Sequence, residues 1–334
     1  MSSTTKKKII RNVKISGTGS YAPTNVYTNE YIESFVNTSA PWVYENLGIK
    51  QRNIVSKGET TSDLGAKAAL KAIADAKLTP EDIDLIIFAT TTPDMKAPST
   101  ACFVQEKIGA FNAGAFDVVA VCSGFIYAIS LATDCLSNGN YKNILVIGAD
   151  TFSTITDWTR RDCVFFGDGA GAVVLTREDD ETGFVISKLG ADGRGKMIWH
   201  IPAGGSQHPI DENTAKDRLQ YWQMDGKGIY NTAVRVLPQV ITDVLNDSGL
   251  KLDDIKYMVP HQPSLKILKK TAELINFDFN KVLTNMDRYG NTSAASIPIL
   301  LDETNKAGKL TRGDYLLFAA VGSGMAWGAM ILKW

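Results

Sequence analysis

The stretch AFDVVAVCSGFIYAI, residues 115–129, decides the fold of this chain because it passes from a strand pattern into a helix pattern at one cysteine. The apolar run before Cys122 is typical of a buried strand. After it, Phe125, Ile129 and Ala132 recur at spacings of four and three, which predicts a helix. The sequence therefore predicts a strand, a tight turn at Cys122 and a helix that begins beside it.

The composition is that of an ordinary globular protein. The 334 residues are 44% hydrophobic and 21% charged, and the formal net charge of -1 gives no bias toward nucleic acid or an anionic membrane. No segment approaches the ~20 apolar residues of a membrane span. The basic stretch 1–17 is interrupted by Arg11 and Lys14, unlike a signal peptide. Four cysteines without a CxxC pair predict free thiols and a cytoplasmic location.

Strand and helix patterns alternate along the whole chain. This alternation predicts an α/β protein with largely buried sheets. The predicted strands are 84–90, 115–121, 143–149, 172–176, 257–261 and 315–321, and the clearest predicted helices are 61–76 and 231–249.

The chain also resembles itself. LTPEDIDLIIFA begins at Leu78, and LKLDDIKYMVPH begins at Leu250, so the two stretches are offset by 172 in the numbering. In the same order, the ends of YKNILVIG and DYLLFAAVG are offset by 174, and the starts of GAVVL and GAMIL are offset by 157. The smaller last offset indicates an insertion of ~15–20 residues within 151–167. We therefore predict two similar α/β halves, 1–176 and 177–334, related by a pseudo-twofold axis, with function where they meet.

The duplication gives Cys122 a counterpart junction in the second half. The offset of 172 leads from Cys122 to residue 294, within YGNTSAAS, where Asn291 precedes a helix-like run. His261 follows the preceding strand, and its first-half counterpart is Ala89. The halves therefore differ in their chemistry.

Each of these three polar residues has a structural and a catalytic interpretation. A helix N-terminus stabilises a thiolate, so Cys122 could be a nucleophile, but a buried cysteine is commonly a core residue. His261 could project into a cleft or be a packed or capping histidine. Asn291 could donate a hydrogen bond from a turn or cap a helix. The glycine loop VGSG at 321–324 would let backbone N–H groups approach a reacting oxygen.

Two other patterns argue against a metal or nucleotide cofactor. The three histidines, at 200, 208 and 261, have no zinc-ligand spacing. GADGRGK at 190–196 fits a phosphate-binding loop only until Met197, where Ser or Thr is required.

Taken together, VCSGFIYAI, FFGDGAGAVVL, VPHQPS, YGNTSAAS and GSGMAWGA resemble, in order and spacing, the β-ketoacyl-acyl carrier protein synthase III family. The resemblance extends from GTGSYAPTN near the start to the last strand. It implies a thiolase fold, in which two duplicated halves form α-β-α-β-α layers. It also implies a homodimeric acyltransferase that starts fatty acid biosynthesis.

The resemblance further implies a role for each candidate residue. Cys122 would accept an acyl group from acyl-CoA. His261 and Asn291 would donate hydrogen bonds to the thioester carbonyl of malonyl-acyl carrier protein as CO2 leaves. The thioesters would be substrates, with no metal or other cofactor. The loop facing the developing oxyanion would consist of Gly322, Ser323 and Gly324.

For CoA binding the resemblance is mixed. Trp42 is similar to the family's adenine-stacking tryptophan, and either Arg160 or Arg161 is similar to the arginine on the other face of the adenine. Lys266 keeps a basic residue after the histidine motif. The chain departs from the family pattern at Asn46, Asn231, Pro263 and Ser264. The departures imply weaker binding of CoA phosphates and an altered docking patch for the carrier protein.

One departure concerns the acyl group itself. In the family, the residue before Pro98 reaches across the dimer and closes the partner's acyl tunnel, and a bulky phenylalanine serves in acetyl-primed members. Here that residue is Ala97. The change predicts a more open pocket for an acyl group longer or bulkier than acetyl.

Two other functions stay open at this stage. The first is a specialised-metabolism condensing enzyme or acyltransferase, of polyketide, resorcinol or quinolone type, that uses the same three residues. The second is a non-catalytic partner subunit, which the filled catalytic positions disfavour.

Overall fold

The computed structural model of this protein describes residues 12–178 and 182–334. Most of the basic N-terminal stretch therefore lies outside the described residues. The strands are β1 (Val13–Tyr21), β2 (Asn25–Thr28), β3 (Gln51–Ile54), β4 (Leu85–Ala89), β5 (Gly114–Val118), β6 (Asn143–Asp150), β7 (Gly169–Arg177), β8 (Gly183–Ala191), β9 (Trp199–His200), β10 (Gln223–Met224), β11 (Ile255–Pro260), β12 (Tyr315–Gly322) and β13 (Ala326–Lys333). The α-helices are α1 (Asn29–Glu33), α2 (Ala40–Leu47), α3 (Thr61–Asp75), α4 (Thr100–Ile108), α5 (Gly124–Ser137), α6 (Glu212–Lys216), α7 (Gly226–Ser248), α8 (Leu265–Leu274), α9 (Met286–Tyr289) and α10 (Ser296–Lys306).

Each predicted strand is confirmed to within three residues at either end. The first predicted helix corresponds to α3, which begins after the capping box formed by Thr60 and Asp63. The second predicted helix corresponds to α7, but α7 begins five residues earlier than predicted. The reason is that the Asp225 side chain accepts a hydrogen bond from Lys227 N and caps the helix there.

Two mixed sheets form the centre of the fold. The first has the strand order β1-β7-β6-β4-β5, and the second has the order β11-β12-β13-β8. Helices α5 and α10 lie between the sheets and contact both. Helices α3 and α4 cover the outer face of the first sheet, and α7 packs with α8 on the outer face of the second. The predicted α-β-α-β-α layering is confirmed.

Alternation along the strands explains why the layers stack in this way. In β4, Leu85, Ile87 and Ala89 face the middle helices, whereas Ile86 and Phe88 face the outer helices. All five side chains are buried. A strand buried on both faces requires a helical layer on each side, which is what the continuous apolar run predicts.

The predicted duplication is present in the structure. Strand β12 begins and ends at an offset of 172 from β6, and β13 begins at an offset of 157 from β7. The predicted offset of 174 between β6 and β12 is wrong, because both ends of β12 lie 172 residues after the corresponding ends of β6. The predicted insertion is confirmed, since 151–168 joins β6 to β7 whereas 323–325 joins β12 to β13.

The two halves also differ in one strand. In the first sheet β5 pairs with β4 in parallel over five residues. In the second sheet the corresponding contact is a single parallel bridge between Met258 and Val282. The chain passes from one sheet to the other between β7 and β8, close to the predicted division at residue 176, and that division stays a prediction.

The halves meet where glycines let backbones approach closely. A Cβ on Gly148 of β6 would lie 2.3 Å from the Ala294 carbonyl oxygen, and one on Gly171 of β7 would lie 2.6 Å from the Pro298 Cβ. These distances are far shorter than van der Waals contact. The glycines therefore determine how closely the first sheet approaches the turn that precedes α10.

We expect Gly148→Ala to lower the free energy of unfolding by about 1–3 kcal/mol, because the added methyl group must displace the Ala294 backbone. Chemical denaturation measures the change. Gly205→Ala is the matched control, since a Cβ there meets nothing within 4 Å. Equal stability of the two variants would contradict this account of the junction.

Candidate active site

Cys122 lies in a single 3-10 turn, Val121–Ser123, between β5 and α5. Val121 has a φ of 48°, a left-handed conformation that is strained for a β-branched residue. The Ser123 hydroxyl donates a hydrogen bond of 2.7 Å to the Ala120 carbonyl and holds the turn. The Cys122 side chain is buried at the N-terminal end of α5, as predicted.

The second half repeats this turn at Ser293–Ala295, again at an offset of 172. Ser293 has a φ of 52° and corresponds to Val121. Its backbone N–H donates to Asn291 Oδ1 at 2.9 Å. Because Oδ1 has this partner, the carboxamide NH2 group of Asn291 is the end left to donate to a ligand. Asn291 lines a mainly apolar cavity at this site.

His261 follows β11 directly and is held from two sides. Its backbone N–H donates to the Ala319 carbonyl at 2.9 Å. Its Nδ1 lies 2.8 Å from Ser296 Oγ, and Ser296 Oγ itself donates to the Ser293 carbonyl at 2.8 Å. Because the serine hydroxyl has one hydrogen, Nδ1–H donates to Ser296, and Nε2 carries a lone pair. Nε2 is buried without a partner among the described residues.

Burial lowers the pKa of the His261 imidazole to about 3, an effect that the Ser293 backbone opposes. The ring is therefore neutral at physiological pH. A neutral imidazole with a bare Nε2 accepts a proton, and it donates from Nε2 only if the proton moves from Nδ1. Ser296 permits both states, because its hydroxyl is a donor as well as an acceptor.

Burial raises the pKa of the Cys122 thiol well above its usual range; the Ser293 hydroxyl opposes this rise, and the Asp150 carboxylate adds to it. That the helix N-terminus favours the thiolate stays a prediction, because in the resting protein burial raises the pKa more than the local hydrogen bonds lower it. Desolvation outweighs the helix dipole because the side chain has an exposed fraction of 1%. The resting nucleophile is a thiol, so a base must take its proton.

Asp150 is a buried carboxylate behind both turns. It accepts hydrogen bonds from the Thr90 hydroxyl, the Thr91 backbone and both groups of Thr92 at 2.7–3.2 Å. The Ala294 N–H of the second turn donates to its other oxygen at 3.3 Å. These bonds compensate for the burial of a carboxylate and tie the end of β4 to the second turn.

The loop after β12 meets the first turn. A Cβ on Gly322 would lie 2.9 Å from Cys122 N and 3.0 Å from Ser123 N, so only glycine permits this approach. The Ser323 hydroxyl donates to the Trp199 carbonyl. Gly324 has a φ of 133°, which only glycine adopts readily. The predicted oxyanion loop therefore lies against the Cys122 turn.

Four aromatic side chains form one buried cluster with Cys122, and we call them the aromatic wall. The wall consists of Phe152, Phe166, Trp199 and Trp222. Sequence reasoning did not find these residues, because they come from three separate loop-rich segments without periodicity. The repeat gave a signal for two of them, since Phe152 and Phe166 lie inside the insertion that it predicts.

A cavity of about 230 Å³ leads toward the wall. Its lining includes Trp42, Asn46, Phe165, Phe166, Trp199, Met224, Tyr230, Pro263, Lys266 and Asn291. The Lys266 ammonium donates to Asn46 Oδ1 at 2.5 Å. Lys266 is the one charged side chain among the described residues that line this cavity.

The structure distinguishes the two candidate arginines. The Arg161 guanidinium carbon lies 3.8 Å from the Trp42 ring centroid, which is a cation–π stack. Arg160 instead makes an ion pair of 2.6 Å with Asp162. Ala97 is exposed on the loop before α4 and does not line the cavity. Its predicted effect on a partner's pocket stays a prediction.

Two further properties concern the described residues as a whole. Within 12–178 and 182–334, no group of three or more His, Cys, Asp and Glu residues is arranged to hold a metal ion. No helix in these same ranges has the length and apolar character that crossing a membrane requires.

The fold and the site together define a class. A buried cysteine, a histidine and an asparagine at the junction of two duplicated α/β halves are the arrangement of a thiolase-fold condensing enzyme. Profiles described as 3-oxoacyl-[acyl-carrier-protein] synthase III and its C-terminal region match residues 116–193 and 245–334. The chain belongs to the β-ketoacyl-acyl carrier protein synthase III family, whose members are acyltransferases.

Similar proteins cover almost the whole chain. The β-ketoacyl-[acyl-carrier-protein] synthase III of Clostridium acetobutylicum is 46% identical over 97% of this chain and 99% of its own length. The Neisseria gonorrhoeae protein of the same name is also 46% identical, over 96% of this chain and 99% of its own length. The crystal structure of the Aquifex aeolicus enzyme superposes with a TM-score of 0.89 at 42% identity, covering 96% of this chain and all of that one.

The raised pKa of Cys122 predicts how its alkylation depends on pH. Between pH 8.5 and 9.5 the iodoacetamide rate at Cys122 should rise about tenfold, because the thiolate fraction grows tenfold per unit below the pKa. An unstructured peptide with one cysteine of ordinary pKa, ~8.5, is the control in the same tube, and its rate should less than double over that range. Peptide mass spectrometry measures both rates. A Cys122 rate that also levels off would contradict the assignment.

Proposed function

We propose that this enzyme loads an acyl group from acyl-CoA onto Cys122 and condenses it with malonyl-acyl carrier protein, releasing CO2. The observation that carries the proposal is the meeting of the two left-handed turns. In the second turn, Ser293 N–H donates to Asn291 Oδ1, and the Ser293 carbonyl accepts from the Ser296 hydroxyl that holds the His261 ring. The Ser293 hydroxyl also opposes the rise in the pKa of Cys122, which belongs to the first turn. A nucleophile, a proton acceptor and a neutral donor are the three groups that this reaction requires.

Loading begins from a protonated thiol. The Cys122 sulfur attacks the thioester carbonyl while its proton passes to His261 Nε2, which is buried, bare and unpartnered among the described residues. The carbonyl carbon gains the Cys122 sulfur and loses the CoA sulfur, which takes the proton from Nε2 and leaves as free CoA. Backbone N–H groups of the Gly322–Gly324 loop and of Cys122 would hold the oxyanion.

Condensation requires donors rather than an acceptor. As the malonyl carboxylate leaves as CO2, the thioester carbonyl oxygen becomes an enolate, and the Asn291 NH2 group donates to it. His261 joins as the second donor when its proton lies on Nε2 and the Ser296 hydroxyl turns to donate to Nδ1. The enolate carbon then attacks the acyl carbonyl on Cys122, and the bond from that carbon to the Cys122 sulfur breaks. The released thiolate takes a proton from solvent, which restores the thiol.

We expect Asn291→Ala to slow CO2 release from malonyl-acyl carrier protein by about 100-fold or more, because one oxyanion donor is lost. The acylation of Cys122 should remain within about threefold, because Asn291 acts in the second half-reaction only. Radiolabelled CO2 and intact mass measure the two steps separately. Asn280→Ala, on the exposed surface, is the control. Undiminished CO2 release would refute the proposed role.

CoA recognition is proposed to rest on Trp42 and Arg161. At 3.8 Å from the ring, the guanidinium leaves no space for adenine between the two, because a sandwiched ring needs ~7 Å. Arg161 must therefore move to the outer face of the bound base. Lys266 would supply charge at the cavity mouth. With Asn46 in place of a basic residue, this charge is smaller than the family pattern provides.

Arg161→Ala should raise the KM for acyl-CoA by about tenfold and leave kcat within about twofold, since the cation–π contact serves binding alone. Arg160→Ala is the adjacent control, because Arg160 pairs with Asp162 instead. Steady-state kinetics measure both. An equal effect of the two substitutions, or a larger one at Arg160, would contradict the assignment.

A homodimer is proposed on the free edge of the first sheet. Strand β5 is the last strand of that sheet and has one neighbour among the described strands. Phe111 and Val119 flank it, and each has an exposed fraction of 73%. Pairing β5 with its copy would satisfy the backbone edge and cover these side chains. It would also bury the exposed loop of Ala97, the proposed gate of a neighbouring acyl pocket.

A specialised-metabolism function is not favoured. The priming β-ketosynthase of the R1128 polyketide pathway superposes with a TM-score of 0.88 but is 28% identical. The relatives above are 42–46% identical over almost the full chain.

A further inference from the structure

Two buried donors in the aromatic wall have no partner among the described residues. Trp199 and Trp222 have exposed fractions of 3% and 4%, and neither indole N–H has a hydrogen-bond partner in that part of the chain. A buried donor left unpaired is costly and rare in native proteins. Two of them in the cluster that contains the reactive cysteine call for a physical explanation.

Both indoles are held on fixed supports. The Trp199 carbonyl accepts a hydrogen bond from Ser323 of the oxyanion loop, and the Trp222 backbone N–H donates to Ile155 at 2.9 Å. Their ring centroids are 5.1 Å apart with an interplanar angle of 71°. Trp222 also packs edge-to-face on Phe152, at 5.3 Å. The donors are therefore positioned before any substrate arrives.

The surroundings limit what such a donor pair could bind. Six partly buried hydrophobic side chains pack on this cluster, and none of its buried members is charged: the packed side chains are Val121, Ile155, Phe165, Ile201, Met224 and Ile229. A carboxylate placed there would lose its hydration without gaining a cation, which is strongly unfavourable. A neutral oxygen is tolerated, because a hydroxyl or keto group needs only a hydrogen-bond partner.

We infer that Trp199 and Trp222 select an acyl group that carries a neutral oxygen beyond its thioester carbonyl, in the form of a short hydroxyacyl or ketoacyl chain. The inference rests on the proposed function, because the acyl group must be attached to Cys122. It agrees with the predicted effect of Ala97, since such a group is bulkier than acetyl. The wall belongs to the same buried cluster as Cys122, so we expect it to limit the length of an acyl group attached there.

A competing explanation is that each indole N–H points at an aromatic face within the wall. Such contacts are weaker than a hydrogen bond to oxygen. An acyl oxygen that reaches the N–H would therefore still be preferred. The two explanations differ in whether the substrate changes when the N–H is removed, and this difference decides the test.

The test compares butyryl-CoA with 3-hydroxybutyryl-CoA, as both enantiomers, and with acetoacetyl-CoA. The single-turnover rate of Cys122 acylation is read by intact mass. We expect the wild type to react at least about tenfold faster with the best oxygenated chain than with butyryl-CoA. This ratio corresponds to the free-energy cost of leaving a buried donor unpaired when butyryl is bound. Trp199→Phe and Trp222→Phe keep a ring but lack the donor. In at least one of them the preference should fall below about threefold while butyryl transfer persists.

Trp158→Phe is the matched control. The Trp158 indole N–H already donates to the Ser153 carbonyl at 3.0 Å, and this residue is not part of the wall. Its variant should keep the wild-type preference. Butyryl transfer in every variant serves as the internal measure of folding.

The other outcomes each overturn something specific. If the wild type transfers butyryl as fast as the oxygenated chains, or faster, the inference is overturned and the proposed function is not. A preference for oxygenated chains that survives in both Phe variants also overturns the inference. So does an equal slowing of all thioesters in the Phe variants, because the indole donors would then bind the pantetheine arm that all the thioesters share. Absence of any adduct, including with acetyl-CoA, overturns the proposed function and the inference with it.

Discussion

The approach of two left-handed turns in the middle layer is the constraint on which the site depends. Helices α5 and α10 are both buried between the sheets, and each begins at one of these turns. Separating the helix ends would expose apolar surface toward both sheets. The strain at Val121 and Ser293 is therefore compensated by the packing around it. Glycines at 148 and 322 allow the backbones to come this close.

The duplicated scaffold holds different chemistry in each half. The first turn carries Cys122, and the second has Ala294 at the corresponding position. Asn291 and His261 surround the second turn instead. Because burial keeps the thiol protonated and the imidazole neutral, the reacting groups start uncharged. Neutral donors and acceptors fixed in a buried site suit a reaction whose charge develops only in its transition states.

Much of the fold follows from the sequence because it depends on periodicity and repetition. The strands and the insertion after β6 could be predicted from apolar runs and their spacing, as could the meeting of Cys122 with the second-half motif. The aromatic wall could not, because Trp199 and Trp222 come together only through loops. The sequence also could not separate Arg160 from Arg161, since their difference lies in which of them reaches Trp42. The state of the Cys122 thiol depends on burial, which outweighs the helix end.

The central claim is that Cys122 carries the acyl group at the meeting point of the two halves. Intact-mass spectrometry after incubation with an acyl-CoA panel tests it directly, on the wild type and on Cys122→Ala. The account predicts one acyl adduct per chain in the wild type, mapped to the peptide that contains Cys122, and none in the variant. An adduct that persists in Cys122→Ala would contradict the account.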